Sequence, residues 1–376
     1  MRKKVYIALV GGQPLPVYQG VKYAEPDEVV LVCSQQTREE AERICNILKQ
    51  EVRVVELAPV RISEIRKDCA VLKDEYQDVD IVLNVSGGTK VWTVLFYETF
   101  RNLENCKIIY VDQNSYCHDF QTASSVQLEM EKDIHFKLYG TPLSSFVPFG
   151  EYTEEDHRVL NTIERIRRNN IKDFNQLTIE AFYTKEDRNK VKTQRQGRIV
   201  LKNGSYVEWD KDVPTVVLVF QKPENQEKPI VMSSPHVVDL VFNTGWFEYK
   251  TARAFAMNPK VKEIRMNCIF KAKNHSDKNE VDLILDMGNK LIFVECKTQI
   301  YEKVAIDKFH SVLKNYAGMG TKGIFVTDAP MDEISKEKCA NNDIIPFSFG
   351  WKKGFYARAY DLQNLVNEQV SVINKK

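Results

Sequence analysis

The chain has 376 residues, 43% of them hydrophobic and 28% charged, a length that suits two domains or three small ones, each able to bury a core. Its 53 Lys and Arg balance 52 Asp and Glu, which excludes a basic nucleic-acid-coating tail and an acidic disordered solvator but leaves room for a local basic groove. The eight cysteines (Cys33, Cys45, Cys69, Cys106, Cys117, Cys268, Cys296 and Cys339) include no C-x-x-C pair, which argues against a zinc ribbon or thioredoxin-type motif and reads as buried thiols in a reducing compartment.

The N-terminal MRKKVYIALVGG places positive charge before an apolar run, but the run spans only residues 5–10 and fits a buried first strand better than a signal segment. Apolar runs recur at 28–34, 52–58, 80–86 and 106–112, with helical patterns between them. Continuously hydrophobic strands alternating with helices predict a parallel, doubly wound α/β sheet over about the first 145 residues. Residues 141–150, TPLSSFVPFG, read as a linker on their Pro, Ser and Gly content, and as the place where the domains would move against each other. A helix follows with Thr153 as N-cap and Asp156 three residues on, opening a connector over 146–204 whose basic stretch, 184–198, reads as a solvated face. From 205 onward, strand-like runs mix with helices expected over 246–257, 304–316 and 332–341, which gives an α+β or mixed α/β second domain. No stretch approaches the roughly 18 apolar residues of a membrane span, so a cytoplasmic location is expected.

The segment NEVDLILDMGNKLIFVECKTQ carries the most chemistry. Gly288-Asn289 is a two-residue hairpin signal between apolar runs. Counting outward from the turn, Met287 pairs with Lys290, Leu285 with Ile292, Leu283 with Val294 and Asp282 with Glu295, while Lys297 shares a face with Glu295. Two opposed carboxylates destabilise a strand pair by up to roughly 1 kcal/mol. A hard divalent cation, Mg²⁺ or Mn²⁺, turns that repulsion into a site, with the Cys296 backbone carbonyl as a further oxygen. Lys297 adds the cation that phosphoryl chemistry needs beside an attacking water or a developing charge.

A second group of residues gathers at strand ends in the first domain. LVGGQP follows the first strand, CSQQT the second, and LNVSGGTKVW the fourth. Ligands of open α/β sheets bind at such ends, and a helix N-terminus behind Gly87-Gly88 offers free N–H groups, with Ser86, Thr89 and Lys90 as added donors. The pattern is neither a Walker A loop nor G-x-G-x-x-G. Capping by Ser34 or Thr37 is the structural alternative for the second loop.

Asp282, Glu295 and Lys297 resemble the signature of the PD-(D/E)XK, restriction-endonuclease-like nucleases, with Val281 where the family has Pro. That resemblance implies a further acidic residue on the preceding core helix, here Glu248 in GWFEYKTARAF, as a catalytic or metal-binding group; Gln299, two beyond Lys297 and so on the same strand face, is a candidate substrate or water contact. Joined to a Rossmann-like domain with an S-G-G-T-K loop, the chain resembles the CARF-domain effector nucleases of type III CRISPR systems, over nearly its whole length. The resemblance implies an N-terminal Rossmann-like (CARF) parallel sheet over 1–145, a restriction-endonuclease-like α/β domain over 205–376, and a homodimer built around a cyclic oligoadenylate, most often cyclic tetra-adenylate. Carried over by position, the ligand would meet Gln13, Pro14, Ser34, Gln35, Gly87, Gly88, Thr89, Lys90, Gln113 and Asn114. The implied function is an activator-gated, metal-dependent endonuclease that cleaves DNA or RNA in antiviral defence. An ungated repair or restriction nuclease and a nucleotide-sensing regulator with an inactive second domain stay open as alternatives.

Overall fold

The computed structural model describes residues 2–131, 133–179, 185–221, 228–271, 279–318, 321–350 and 354–371. Its first sheet contains β1 (Lys4–Leu9), β2 (Glu28–Cys33), β3 (Val52–Glu56), β4 (Asp80–Asn84), β5 (Cys106–Val111), β6 (Tyr116–Asp119) and β7 (Ser125–Gln127), in the order β3-β2-β1-β4-β5-β6-β7. The first five are parallel, with β6 and β7 added antiparallel at one edge. Alternation along β1 explains why its sequence is apolar throughout. Tyr6 and Ala8 pack toward α1 (Pro14–Ala24) and α2 (Arg38–Ile47), whereas Val5, Ile7 and Leu9 pack toward α3 (Ile62–Glu75) and α4 (Lys90–Phe100). The doubly wound sheet is as the sequence predicts.

After α5 (Ile134–Leu138) comes a departure from expectation. The segment read as a linker forms β8 (Leu143–Pro148), which pairs with β13 (Glu263–Phe270) at the edge of a second sheet, and is followed by a short 3₁₀ turn. An edge strand takes ladder bonds on one side only, so Ser144 and Ser145 stay exposed and leave no apolar alternation to read. A free hinge over 141–150 is therefore not what the chain builds.

The connector helix α6 (Glu154–Thr178) opens with the expected cap: Thr153 and Asp156 form a reciprocal capping box. The helix kinks at Asn170 and leads to α7 (Lys185–Thr193). A four-stranded antiparallel meander follows, β9 (Gln196–Val200), β10 (Tyr206–Asp210), β11 (Thr215–Val219) and β12 (Ile230–Ser233), so the connector reading of 146–204 overlaps the first strand of this sheet. After α8 (Val237–Val241) and α9 (Gly245–Ala256), the second sheet is completed by β14 (Asn279–Asp286), β15 (Leu291–Lys297), β16 (Lys322–Thr327) and β17 (Ile344–Ser348), in the order β17-β16-β15-β14-β13-β8. Three further helices, α10 (Val304–Val312), α11 (Glu333–Asn341) and α12 (Phe355–Ser371), complete the described chain.

Two cores clasp this sheet. One face packs on α6, α9, α12 and the meander, through Leu283, Leu285, Ile292 and Val294. On the other, Ile284, Leu291 and Phe293 belong to the same apolar cluster as Tyr6, Val17 and Tyr18 of the first domain. The two domains thus share a continuous core. All eight cysteines are free thiols, seven of them buried. Among the described residues, no helix is long and apolar enough to cross a membrane.

Candidate functional site

Two sites emerge, one per domain. The first is a cavity of about 480 Å³ at the carboxyl ends of β1, β4 and β5. Gly11 and Gly87 bring two loops into backbone contact: a Cβ on Gly87 would lie 2.2 Å from the Leu9 carbonyl oxygen, and one on Gly11 would lie 2.9 Å from the Gly88 nitrogen. Gly88 has φ of +72°, which fits glycine. A buried polar network supports the floor. Asn84 donates to Tyr6 Oη at 2.6 Å and accepts from the Ser86 amide at 2.8 Å, and Ser86 Oγ accepts from the Val111 amide at 2.6 Å.

Of the ten ligand positions expected from the sequence, Gln13, Gly87, Gly88, Gln113 and Asn114 line this cavity, while Pro14, Ser34, Gln35, Thr89 and Lys90 do not. Ser34 and Thr37 form a capping box, and Thr37 also donates to the Val10 carbonyl at 3.1 Å. Thr89 caps α4, accepting from the Trp92 amide at 3.2 Å, and Lys90 is exposed on the first turn. The cavity also gains residues that the sequence reading missed: Gln19, Tyr110, Asp112, Ser115 and Tyr139. Tyr139 arrives from a point 126 positions downstream and donates to Gln13 Oε1 at 2.6 Å, a contact with no local sequence signal. Gln19 did leave one, as a polar residue within the buried stretch Val17–Val21 of α1. Its Oε1 is buried with no hydrogen-bond partner among the described residues, an unsatisfied acceptor on a residue of the cavity wall.

The second site lies on β14 and β15. The Gly288-Asn289 turn, the Leu285–Ile292 pair and the Leu283–Val294 pair form as counted. The ladder then stops one pair short of Asp282–Glu295. In its place, Asp282 Oδ2 accepts the Cys296 amide at 2.6 Å, so the carboxylate substitutes for a backbone partner where the strands part. Asn267, which counting would set opposite Asp282 on β13, has a left-handed φ of +51°, and the β8–β13 register shifts beside it. Irregularity of this kind often re-aims side chains next to active sites.

Lys297 Nζ contacts Glu295 Oε1 at 2.5 Å, Asp282 Oδ2 at 3.5 Å and the Cys296 carbonyl at 3.1 Å. Burial disfavours its charge, but Asp282 and Glu295 outweigh that and raise its pKa. Burial and then the Asp282 carboxylate lift Glu295 to about 7, against the pull of Lys297. The same two causes push Glu248, on the first turn of α9, well above the usual carboxylate range. Burial keeps the Cys296 thiol neutral, so only its carbonyl is a candidate ligand. Gln299 is exposed beyond the end of β15.

Asp282, Glu295 and Glu248 thus sit within electrostatic reach of one another with Lys297 as their shared cation. Among the described residues, no three His, Cys, Asp or Glu converge closely enough to hold an ion as they stand. The donor chemistry nevertheless suits a hard cation: oxygen ligands only, in negative excess, with carboxyl pKa values raised by burial and then by the neighbouring Asp282 charge.

Residues 5–139 match the family model of the Card1 CARF domain. No curated protein matches the sequence. Among solved structures, Can2 from Sulfobacillus thermosulfidooxidans, determined in complex with cyclic tetra-adenylate, aligns over 98% of this chain and 99% of its own, with a TM-score of 0.68 at 20% identity. Protein VC1899 from Vibrio cholerae aligns over 97% and 98%, with a TM-score of 0.72 at 12% identity. A type III CRISPR defence DNA nuclease activated by cyclic oligoadenylate aligns over 94% of this chain and 50% of its own, with a TM-score of 0.55 at 15% identity. At these identities the likeness establishes a shared fold.

Proposed function

We propose that this chain, whose residues 5–139 match the Card1-type CARF domain, is a cyclic-oligoadenylate-gated, divalent-metal-dependent nuclease of type III CRISPR defence. The observation that carries the reading is the presence on one chain of a polar strand-end cavity in the CARF-type domain and a carboxylate–lysine hairpin in the second. Two of its structural neighbours are described as bound to, or activated by, such a ligand. A two-fold symmetric ring sits naturally on the axis of a homodimer, so the ligand would be shared by two copies of the cavity.

In this reading, Asp282 and Glu295, with the Cys296 carbonyl and Glu248, hold the metal. When bound, a divalent cation supplies Lewis acidity and an acidified water. The chain's own contribution is positional and electrostatic. The Cys296 amide fixes the Asp282 carboxylate, and Lys297, held protonated by its acidic neighbours, places positive charge where a phosphodiester develops negative charge.

The test is cleavage of labelled single-stranded DNA, duplex DNA and RNA, with and without cyclic tetra-adenylate, in Mg²⁺ or Mn²⁺. Cleavage that requires both ligand and metal supports the reading. Ligand binding without cleavage in any metal would make the chain a sensor only, and cleavage indifferent to ligand would make it an ungated nuclease.

A further inference from the structure

The cavity and the acidic hairpin are joined by a direct contact. The β5–β6 turn, residues 112–116, lines the cavity through Asp112, Gln113, Asn114 and Ser115. It is a stiff unit: Asp112 Oδ1 accepts the amides of Asn114 and Tyr116 at 2.8 and 2.9 Å, and Ser115 adopts a left-handed φ of +62°. The opposite side of this turn holds the Gly288-Asn289 turn of the β14–β15 hairpin. Ser115 Oγ donates to the Asn289 carbonyl at 2.9 Å, Asn289 Nδ2 donates to the Asn114 carbonyl at 3.3 Å, and Lys290 Nζ donates to Asn114 Oδ1 at 3.2 Å. Gln19, on the cavity wall, donates to the same Ser115 Oγ at 2.8 Å. Ser115, Asn289 and Lys290 are all buried.

The hairpin that starts at this junction ends at the acidic site. Glu295 lies five residue steps beyond Lys290, about 17 Å at the rise of an antiparallel strand. Over that length the two strands are laddered from Asp286–Leu291 to Leu283–Val294 and packed on both faces, so the element moves as a rod rather than bending. An aliphatic side chain would fill this buried junction; a lysine there instead binds Asn114 directly and lies within electrostatic reach of Asp112, both on the cavity wall. The hairpin turn also accepts the Met130 amide at the Gly288 carbonyl, at 2.7 Å, but its side-chain contacts through Asn289 and Lys290 go to the turn that forms part of the cavity wall.

We propose that Asn114, Asn289 and Lys290 form the joint through which occupancy of the cavity positions Asp282, Glu295 and Lys297. Lys290 is then a positioning residue: it touches neither ligand cavity nor metal site, and acts through the strand it begins. The inference rests on the gated-nuclease reading, and its test separates the two. Full-length wild type and Lys290→Met are compared for cyclic tetra-adenylate affinity, for ligand-induced change in amide hydrogen exchange over residues 279–297, and for the ratio of cleavage rates with and without ligand. Lys290→Met should bind ligand within about threefold of wild type, lose the exchange response in the hairpin, and lose at least tenfold of the activation ratio, with Lys290→Arg restoring part of both. An unchanged exchange response and activation ratio in Lys290→Met, or no exchange response in wild type that has bound ligand, overturns the joint. A wild-type exchange response that Lys290→Met abolishes, without cleavage by either protein, upholds the joint and removes the nuclease reading. Should Lys290→Met fail to fold, Asn289→Ala, which deletes one side-chain hydrogen bond, is read in the same way.

Discussion

The Cys296 amide and the Asp282 carboxylate meet at 2.6 Å at the point where the β14–β15 ladder ends. A side chain that completes a backbone hydrogen bond is fixed in direction, and here the fixed group is the one a metal would need. The Asp282→Asn variant keeps an oxygen for that amide and loses the charge. It should therefore fold normally, lose cleavage by a factor on the order of 10²–10³, and no longer gain melting temperature from Mn²⁺. Thermal scans with and without Mn²⁺, run beside the cleavage assay, check this. Near-wild-type turnover in Asp282→Asn would remove it from the site.

The cavity depends on two loops that approach too closely for any side chain. Gly87→Ala sets a Cβ against the Leu9 carbonyl and should cost about 1–3 kcal/mol, with a weaker affinity for cyclic tetra-adenylate. Gly12→Ala, where an added Cβ meets nothing within 4 Å, should leave melting temperature unchanged. Equal stability of the two variants would mean that the loops have room to part.

Much of this was legible because its causes are local. Continuous apolar runs gave the parallel strands, Thr153 with Asp156 gave the start of α6, and Gly288-Asn289 gave the hairpin register. What escaped is non-local or half-exposed. The edge strand over 143–148 carries two exposed serines, and its pairing partner lies about 120 residues away. Tyr139 joins the cavity through a fold contact, and the Asn114–Lys290 bond spans 176 positions. The Asp282–Glu295 pair was counted on ideal geometry, and the structure interrupts the ladder at that step, where like charges oppose pairing.

Lys90 offers a graded test of ligand placement. It is exposed at the first position of α4, outside the cavity, where the helix dipole disfavours a cation by a few tenths of a kcal/mol. Lys90→Ala should hold or slightly raise the melting temperature. If an anionic ring extends from the cavity toward the helix end, affinity should fall roughly tenfold at low salt and less at high salt. Titration calorimetry at two ionic strengths measures this, and identical affinities would confine the ligand to the cavity.

The shared core makes a prediction about acid. His135, on α5, is buried between the domains, with its ring 4.5 Å from that of Tyr139 and hydrogen-bonded to the backbone of Tyr316 and Ala317 in the second domain. Its Nε2 has no partner among the described residues, so a second proton there would find no acceptor. Burial lowers its pKa from the ordinary 6.5 to about 4, with the backbone hydrogen bonds opposing only part of that shift. The folded value lies below the unfolded one, so between these values the unfolded chain takes up the proton and the folded chain does not. Stability is full above about pH 6.5 and falls as the pH drops toward 4, by about 3 kcal/mol from this group alone. His135→Gln, which keeps a donor and cannot titrate, should cost some stability at pH 7.5 and show a shallower loss toward pH 4.5. Denaturant melts of both proteins across this range isolate the histidine from the carboxylates they share. Parallel pH profiles would show that His135 titrates alike in the folded and unfolded chain and that the seam between the domains admits water.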